Sequence, residues 1–377
     1  MRKPFYLTKQ KIPACLIIAV QTPQQKMIDH DSYAEEFTRL VETARGTYAH
    51  KILIKLRMID TARFFTKGKL HDIKAICDEK NIEEIIISEH LIPQQERNLK
   101  DFTDCVIIDR TRLILEIFEK AAQSAEGKLQ VGIALLAHKK SRLSGKGIHL
   151  AQQRGGIGLR AGSGEKKKVS EARHIEQLIL KHKKSLDRLE RVRTTQRKKR
   201  LNAGMPHTAL IGYTNAGKST LLNALTKSDV LAEDKLFATL DTTTRELFLN
   251  GSKKGTISDT VGFIQQLPHR LVNAFKSTLS ELHFADLLLH VVDASSSNWK
   301  DQINTVNQLL EELEIDKPTL YVFNKADVAK DIEAFKAATQ ELQPQVIISA
   351  KKESSLFSID PLKSYLDSFM QSIKKQS

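Results

Sequence analysis

Gly212, Tyr213, Thr214, Asn215, Ala216, Gly217, Lys218 and Ser219 spell G-x-x-x-x-G-K-S, a spacing suited to wrapping phosphate groups. The apolar residues 208–211 before it and the helical pattern of 220–226 after it predict strand, loop and helix. Backbone N–H groups at that helix N-terminus would then point at an anion. Lys218 is expected to reach the β- and γ-phosphates, and Ser219 to bind Mg²⁺ through its hydroxyl. Forty residues beyond Ser219, the strand-like stretch 255–258 ends in Asp259, Thr260, Val261 and Gly262. A carboxylate there can hold Mg²⁺ through water, and Gly262 lets a backbone N–H approach the γ-phosphate.

The apolar stretch 319–323 delivers Asn324, Lys325, Ala326 and Asp327. A carboxylate acceptor pairs with the adjacent ring N–H and amino donors of guanine, whereas adenine presents a different edge, so Asp327 argues for GTP over ATP. Residues 346–348 then lead into Ser349, Ala350 and Lys351, which suits a loop closing over guanine O6. Between the first two motifs lie Phe237, Ala238, Thr239, Leu240 and Asp241, followed by Thr242, Thr243 and Thr244. One of these threonines must complete the Mg²⁺ shell when γ-phosphate is present; Thr239 is favoured and Thr243 is the alternative. Lys218 and Thr239 are thus the expected catalytic side chains, with Ser219 and Thr239 on the metal. Phe263 stands where many GTPases use glutamine to orient the attacking water, so slow intrinsic hydrolysis is expected. His207, His269 and His290 lie near these motifs, and no role is assigned to them.

These motifs need a parallel sheet to carry them, and residues 204–377 are read as one α/β GTP-binding domain. Upstream, β-rich runs at 15–20, 52–56, 85–88 and 106–108 alternate with helical patterns at 32–44 and 69–80, which predicts βαβ units and a small α/β domain over 1–126. Residues 127–203 change character. Leu129, Ile133 and Leu136 repeat at helical intervals, then seven of the 17 glycines fall within residues 145–164, a segment expected not to hold a helix. From 171 to 200 there is no Gly or Pro, and Ile175, Leu178, Leu186, Leu189 and Val192 form an apolar seam. A helical hairpin with a glycine-rich tip is the simplest arrangement.

Residues 165–200 hold 14 Lys or Arg against five Asp or Glu, most of the chain's +14. A solvated helix face would explain such a run. Together with Arg142, Arg154 and Arg160 of the neighbouring loop, however, it makes a cationic surface expected to bind RNA through backbone and shape, since aromatics are few. Cys15, Cys77 and Cys105 lack metal-ligand spacing and sit in apolar stretches, as buried thiols in a reducing cytoplasm would. Arg2 and Lys3 before the apolar run 14–20 imitate a signal peptide, but Lys9, Gln10, Lys11 and Pro13 interrupt it. No run reaches the roughly 20 residues needed to span a bilayer, and a soluble chain is expected. Weak peripheral membrane association through the basic helix ranks last among the partners.

With these motifs in place, the chain resembles the HflX-type GTPases of the translation-factor-related class. The likeness rests on the phosphate loop, on Phe237 to Asp241, and on Asp259 to Phe263 with Leu267 and Pro268. It extends to Arg97, Asn98 and Leu99, to Ile108, Asp109, Arg110 and Thr111, and to residues 126–131 and 154–160. The resemblance implies an N-terminal α/β domain, a helical hairpin and a C-terminal GTPase domain that together bind the large ribosomal subunit and its RNA; a monomer is expected. It further implies a role in ribosome splitting, rescue or biogenesis, with the glycine-rich tip directed at the peptidyl transferase region. The family's Gly-Pro-Gly-Glu is replaced here by Gly162, Ser163, Gly164 and Glu165, followed by Lys166, Lys167 and Lys168, so coupling between that loop and the nucleotide is expected to differ. The competing reading is a nucleotide-stabilised RNA-binding module whose affinity for RNA ignores the nucleotide.

Overall fold

The computed structural model describes residues 13–23, 30–144, 162–202, 204–226, 236–237, 243–265, 276–351 and 357–376. They form two compact units, one drawn from Met1–Ile117 and His138–Arg173, the other from Phe118–Ala137 and His174–Ser377.

The first unit runs β1 (Cys15–Gln21), α1 (His30–Arg45), β2 (His50–Lys55), α2 (Lys67–Lys80), β3 (Glu84–Ile87), α3 (Pro93–Thr103) and β4 (Val106–Asp109) into α4 (Arg110–Ala121). Its strands are all parallel, in the order β2-β1-β3-β4. Central β1 buries every residue from Cys15 to Val20, as a strand covered on both faces must. Leu16, Ile18, Ile85 and Ile87 pack against Leu70 and Ile73 of α2 and Leu99 of α3. Helices α3 and α4 were not anticipated. In α3 only Leu99 and Phe102 carry an apolar signal; the helix is launched by Pro93 in its first turn and by Gln95 Oε1 accepting from the Ile92 N–H. The three cysteines are buried and unbridged.

Helices α5 (Ala125–Ser144) and α6 (Gly162–Asn202) run antiparallel. Arg193 of α6 grips both carboxylate oxygens of Glu126, the ring of His182 packs over Gly132, and Lys139 pairs with Glu171. Three expectations need correction. Gly162 and Gly164 belong to α6: glycine costs a helix only about 1 kcal/mol per residue, which a 41-residue helix absorbs at its start. Val192 is 56% exposed; the chain turns the next residue, Arg193, towards α5 instead. Arg142 is not part of a free cationic loop. It lies in α5, donates to the Leu91 carbonyl and to Asp109 Oδ2, each at 2.6 Å, and pairs with Glu96 at 3.0 Å. Arg154 and Arg160 lie outside the described residues, as does most of the glycine-rich tip.

Asp109, almost wholly buried, collects this network at the end of β4. Burial alone would raise its pKa; His138, His90 and Arg142 instead hold its carboxyl well below the usual range.

The second unit runs β5 (His207–Gly212), α7 (Lys218–Leu225), β6 (Thr243–Leu249), β7 (Ser252–Asp259), α8 (Lys276–His283), β8 (Leu287–Asp293), α9 (Trp299–Glu312), β9 (Thr319–Asn324), α10 (Ile332–Ala338), β10 (Gln345–Ile347) and α11 (Asp360–Gln376). The sheet order is β10-β9-β8-β5-β7-β6, parallel except for the antiparallel edge strand β6. Leu210, Leu289 and Val322 pack one face against Leu221 and Leu222 of α7 and Leu362 and Leu366 of α11. Ala209, Ile211 and Leu288 pack the other against Leu279 and Leu282 of α8 and Val306 of α9. Strands β5, β7, β9 and β10 therefore end at one edge of the sheet, the crevice where open parallel sheets hold ligands. No described helix is long and apolar enough to cross a membrane.

Candidate nucleotide site

The phosphate loop leaves β5 at Gly212 and enters α7 at Lys218. Gly217 adopts φ +94°, and a Cβ there would lie 2.2 Å from Asn324 Nδ2. That closeness is used: Asn324 Nδ2 donates to the Ala216 carbonyl at 2.9 Å, and Asn324 Oδ1 accepts from the Ala350 N–H at 2.9 Å. One buried amide thereby joins the phosphate loop, the end of β9 and the loop after β10.

Lys218 is buried, with Nζ donating to the carbonyls of Gly212 at 3.1 Å and Tyr213 at 2.8 Å. Burial pushes its pKa down to about 8, against the pull of the Asp259 carboxylate. A buried ammonium so depressed is stabilised by any anion brought to the loop. Thr214 Oγ1, also buried, has no hydrogen-bond partner among the described residues. Ser219 Oγ donates to Asp259 Oδ2 at 2.7 Å. A hydroxyl beside a carboxylate at a phosphate-binding loop is a hard-oxygen donor set of the kind Mg²⁺ takes. A Cβ on Gly262 would meet Thr214 Cγ2 at 2.8 Å and Lys218 Nζ at 2.9 Å, so only glycine lets this backbone lie against the loop. The residues present therefore fit a Mg²⁺-bound phosphate chain.

The two loops are zipped by backbone: Thr214 N–H donates to the Phe263 carbonyl at 2.7 Å and Phe263 N–H to the Gly212 carbonyl at 3.2 Å. The Phe263 ring turns away into the core, among Ala209, Ile211, Leu279, Leu282 and Leu288. Thr260 points inward too, its hydroxyl donating to the Leu210 carbonyl at 2.7 Å, and Val261 is buried. Tyr213 Oη accepts from the Gln265 N–H at 2.7 Å.

Gly217, Thr220, Asn324, Lys325, Asp327, Val328, Ser349, Ala350 and Lys351 line an open pocket. Asp327 is exposed and its carboxylate has no hydrogen bond or ion pair with a described residue. Ala326 is buried, its N–H on the Ile348 carbonyl. Lys351 N–H donates to Ser349 Oγ at 3.4 Å, and Ser349 N–H to the Phe357 carbonyl. Asn215, at φ +62°, completes the loop between Thr214 and Ala216. Phe237 is buried with its ring edge-on to Phe118 of α4 at 4.6 Å. Ala238, Thr239, Leu240 and Asp241 lie outside the described residues.

One carboxylate escaped the sequence reading. Asp293, at the end of β8, pairs with Lys325 at 2.7 Å; a carboxylate before a serine run carries no signal of its own. His290, on β8, noted from sequence without a role, is buried with Nδ1 unpartnered among the described residues, and burial, reinforced by the Lys218 charge, pushes its pKa down to about 3.

Comparison with known proteins adds lineage to this geometry. Residues 207–325 match the family described as 50S ribosome-binding GTPase, residues 31–119 that described as GTP-binding GTPase N-terminal, and residues 121–200 that described as GTP-binding GTPase Middle Region. GTPase HflX of Caldanaerobacter subterraneus subsp. tengcongensis is 42% identical over 323 residues, 85% of this chain and 74% of that protein. GTPase HflX of Escherichia coli K12 is 41% identical over 320 residues, 84% of this chain and 75% of that protein. The crystal structure of the SsGBP and GDP complex shares the fold, with a TM-score of 0.52 and 23% identity over 96% of this chain and 99% of that one.

Proposed function

The chain belongs to the HflX family of GTPases, and on that premise we propose that its nucleotide state gates its binding to the large ribosomal subunit and its RNA, in ribosome splitting, rescue or biogenesis in the cytoplasm. The protein binds GTP and hydrolyses it to GDP and phosphate. In the proposed site the loop 212–219 cradles the phosphates under Lys218, Ser219 and Thr239 hold Mg²⁺, and Asp259 lies behind them. Mg²⁺, when bound, neutralises charge on the phosphates. Asn324, Asp327 and the backbone of 349–351 read guanine. Intrinsic turnover is slow because the Phe263 ring lies in the core, where it cannot orient water.

The observation that carries the ribosomal part is the outer face of α6. Arg173, Lys181, Lys183, Lys184, Arg188 and Arg191 are exposed there and make no ion pair with a described residue, unlike Arg142 and Arg193. Such a row suits phosphates of structured RNA, and the matched family is described as 50S ribosome-binding. The test is co-sedimentation with large subunits in the presence of a non-hydrolysable GTP analogue, GDP or no nucleotide. The analogue should enrich the bound fraction; indifference to nucleotide would leave a static RNA-binding module, and no binding would remove the ribosome as partner.

A further inference from the structure

We infer that Asp293 is a positioning residue for guanine recognition, one that holds Lys325 as a wall of the base pocket and keeps its ammonium away from Asp327. This rests on the reading of the pocket beside Asp327 as the guanine site.

Lysine is a poor wall by itself. Its four-carbon stem is flexible, and ordering it costs rotamer freedom. Here both ends are tied. At the backbone end, Lys325 sits at φ +62° between two strand-end hydrogen bonds, Ala294 N–H to the Asn324 carbonyl at 2.8 Å and Ala326 N–H to the Ile348 carbonyl at 3.2 Å. At the far end, Nζ donates to Asp293 Oδ2 at 2.7 Å. Because Asp293 stands opposite Asn324 in the β8–β9 register, the carboxylate lies beside the residue that follows Asn324.

The carboxylate is itself fixed. Asp293 Oδ1 accepts from the Ser295 N–H at 3.0 Å and from Ser295 Oγ at 2.6 Å, leaving Oδ2 for Lys325. Asp293 and Lys325 keep 17% and 29% of their side-chain surface exposed, enough shielding for the pair to hold its geometry. The stem between the two ties lines the pocket together with Asn324 and Asp327.

Charge gives the pair its second effect. Asp327 has no partner among the described residues, and its acceptor oxygens are what a guanine edge requires. A Lys325 ammonium released from Asp293 could swing to this second carboxylate, and base binding would then have to break an ion pair. Asp293 removes that competitor.

The experiment titrates the full chain and its Asp293→Asn variant with GDP, ADP and inorganic tripolyphosphate, then repeats the GDP titration with Lys325→Met and the double variant. Wild type should prefer GDP to ADP; without that preference the guanine-pocket reading itself fails, whatever the variant does. Given the preference, Asp293→Asn should weaken GDP roughly tenfold while leaving tripolyphosphate unchanged. Adding Asp293→Asn to Lys325→Met should cost little more, because the carboxylate acts through the lysine. Equal loss of GDP and tripolyphosphate, no loss of GDP, or full additivity in the double variant would each overturn the role.

Discussion

Ser219 Oγ and Asp259 Oδ2 lie 2.7 Å apart, although the residues are 40 positions apart, one in the first turn of α7 and the other at the end of β7. This hydrogen bond occupies the Ser219 hydroxyl that the proposed site offers to Mg²⁺, so the metal would enter by replacing it. In Ser219→Ala, Asp259 loses a charge-assisted donor in a fully buried place, at a cost of ~1–2 kcal/mol in stability without nucleotide. GTP affinity should also cease to depend on Mg²⁺. Titrations with and without a chelator check this; retained Mg²⁺ dependence would take Ser219 off the metal.

Phe263→Gln should not create a fast GTPase. The glutamine would inherit a core site among Ile211, Leu279 and Leu282 rather than a place beside the phosphates. A cavity and a buried amide together should cost at least ~3 kcal/mol. Single-turnover hydrolysis and urea unfolding measure the two effects, and an accelerated rate with unchanged stability would contradict the inward ring.

His290 should make the fold sensitive to acid. Its folded pKa is pushed down to about 3 from an ordinary 6.5, first by burial and then by the Lys218 charge. As pH falls below about 6.5, the unfolded chain takes up a proton that the folded chain refuses, so stability is lost progressively until about pH 3. Between about pH 7 and about pH 5 the wild type should lose ~2 kcal/mol more than His290→Gln. Urea midpoints at the two pH values decide it; equal losses would mean the ring is not held neutral.

Arg142→Met keeps the stem and removes the charge that faces Asp109. A nearly inaccessible carboxylate losing its partner should destabilise the protein by about 3 kcal/mol, and Asp109→Asn in the same chain should recover part of that. If Arg142→Met is neutral in urea unfolding, the network does not anchor α5.

The nucleotide motifs could be placed from sequence because each is a short cluster at the end of a predicted strand, where local spacing carries the geometry. Strands β1 to β4 announced themselves as apolar runs parted by helical stretches. Strand β8 did not: Leu287–Asp293 is a continuous apolar run interrupted by His290, a pattern shared by buried helices. Edge strand β6 carries Arg245 and Glu246 and is half exposed, which blurs its alternation. Arg142 was misread for a different reason. Its partners Asp109 and Leu91 lie 33 and 51 residues away, and no local pattern shows which cations will be buried by distant carboxylates. Asp293 eluded the reading likewise, since its value lies in β8–β9 register rather than in its neighbours.

The fit of Gly217 against Asn324 bears on how such a sequence can drift. A side chain at 217 would overlap the amide that pins Ala216 and Ala350 and would be strained at φ +94°, so Gly217 is held by its backbone and its neighbour, and Asn324 by the two hydrogen bonds it makes. The two residues are maintained by the fold as much as by the ligand. A descendant that had given up nucleotide altogether would keep both, while Asp327, exposed and unpartnered within the described chain, would be among the first to vary. In a diverging lineage it is therefore Asp327, more than the phosphate-loop glycine, that records whether guanine is still being read.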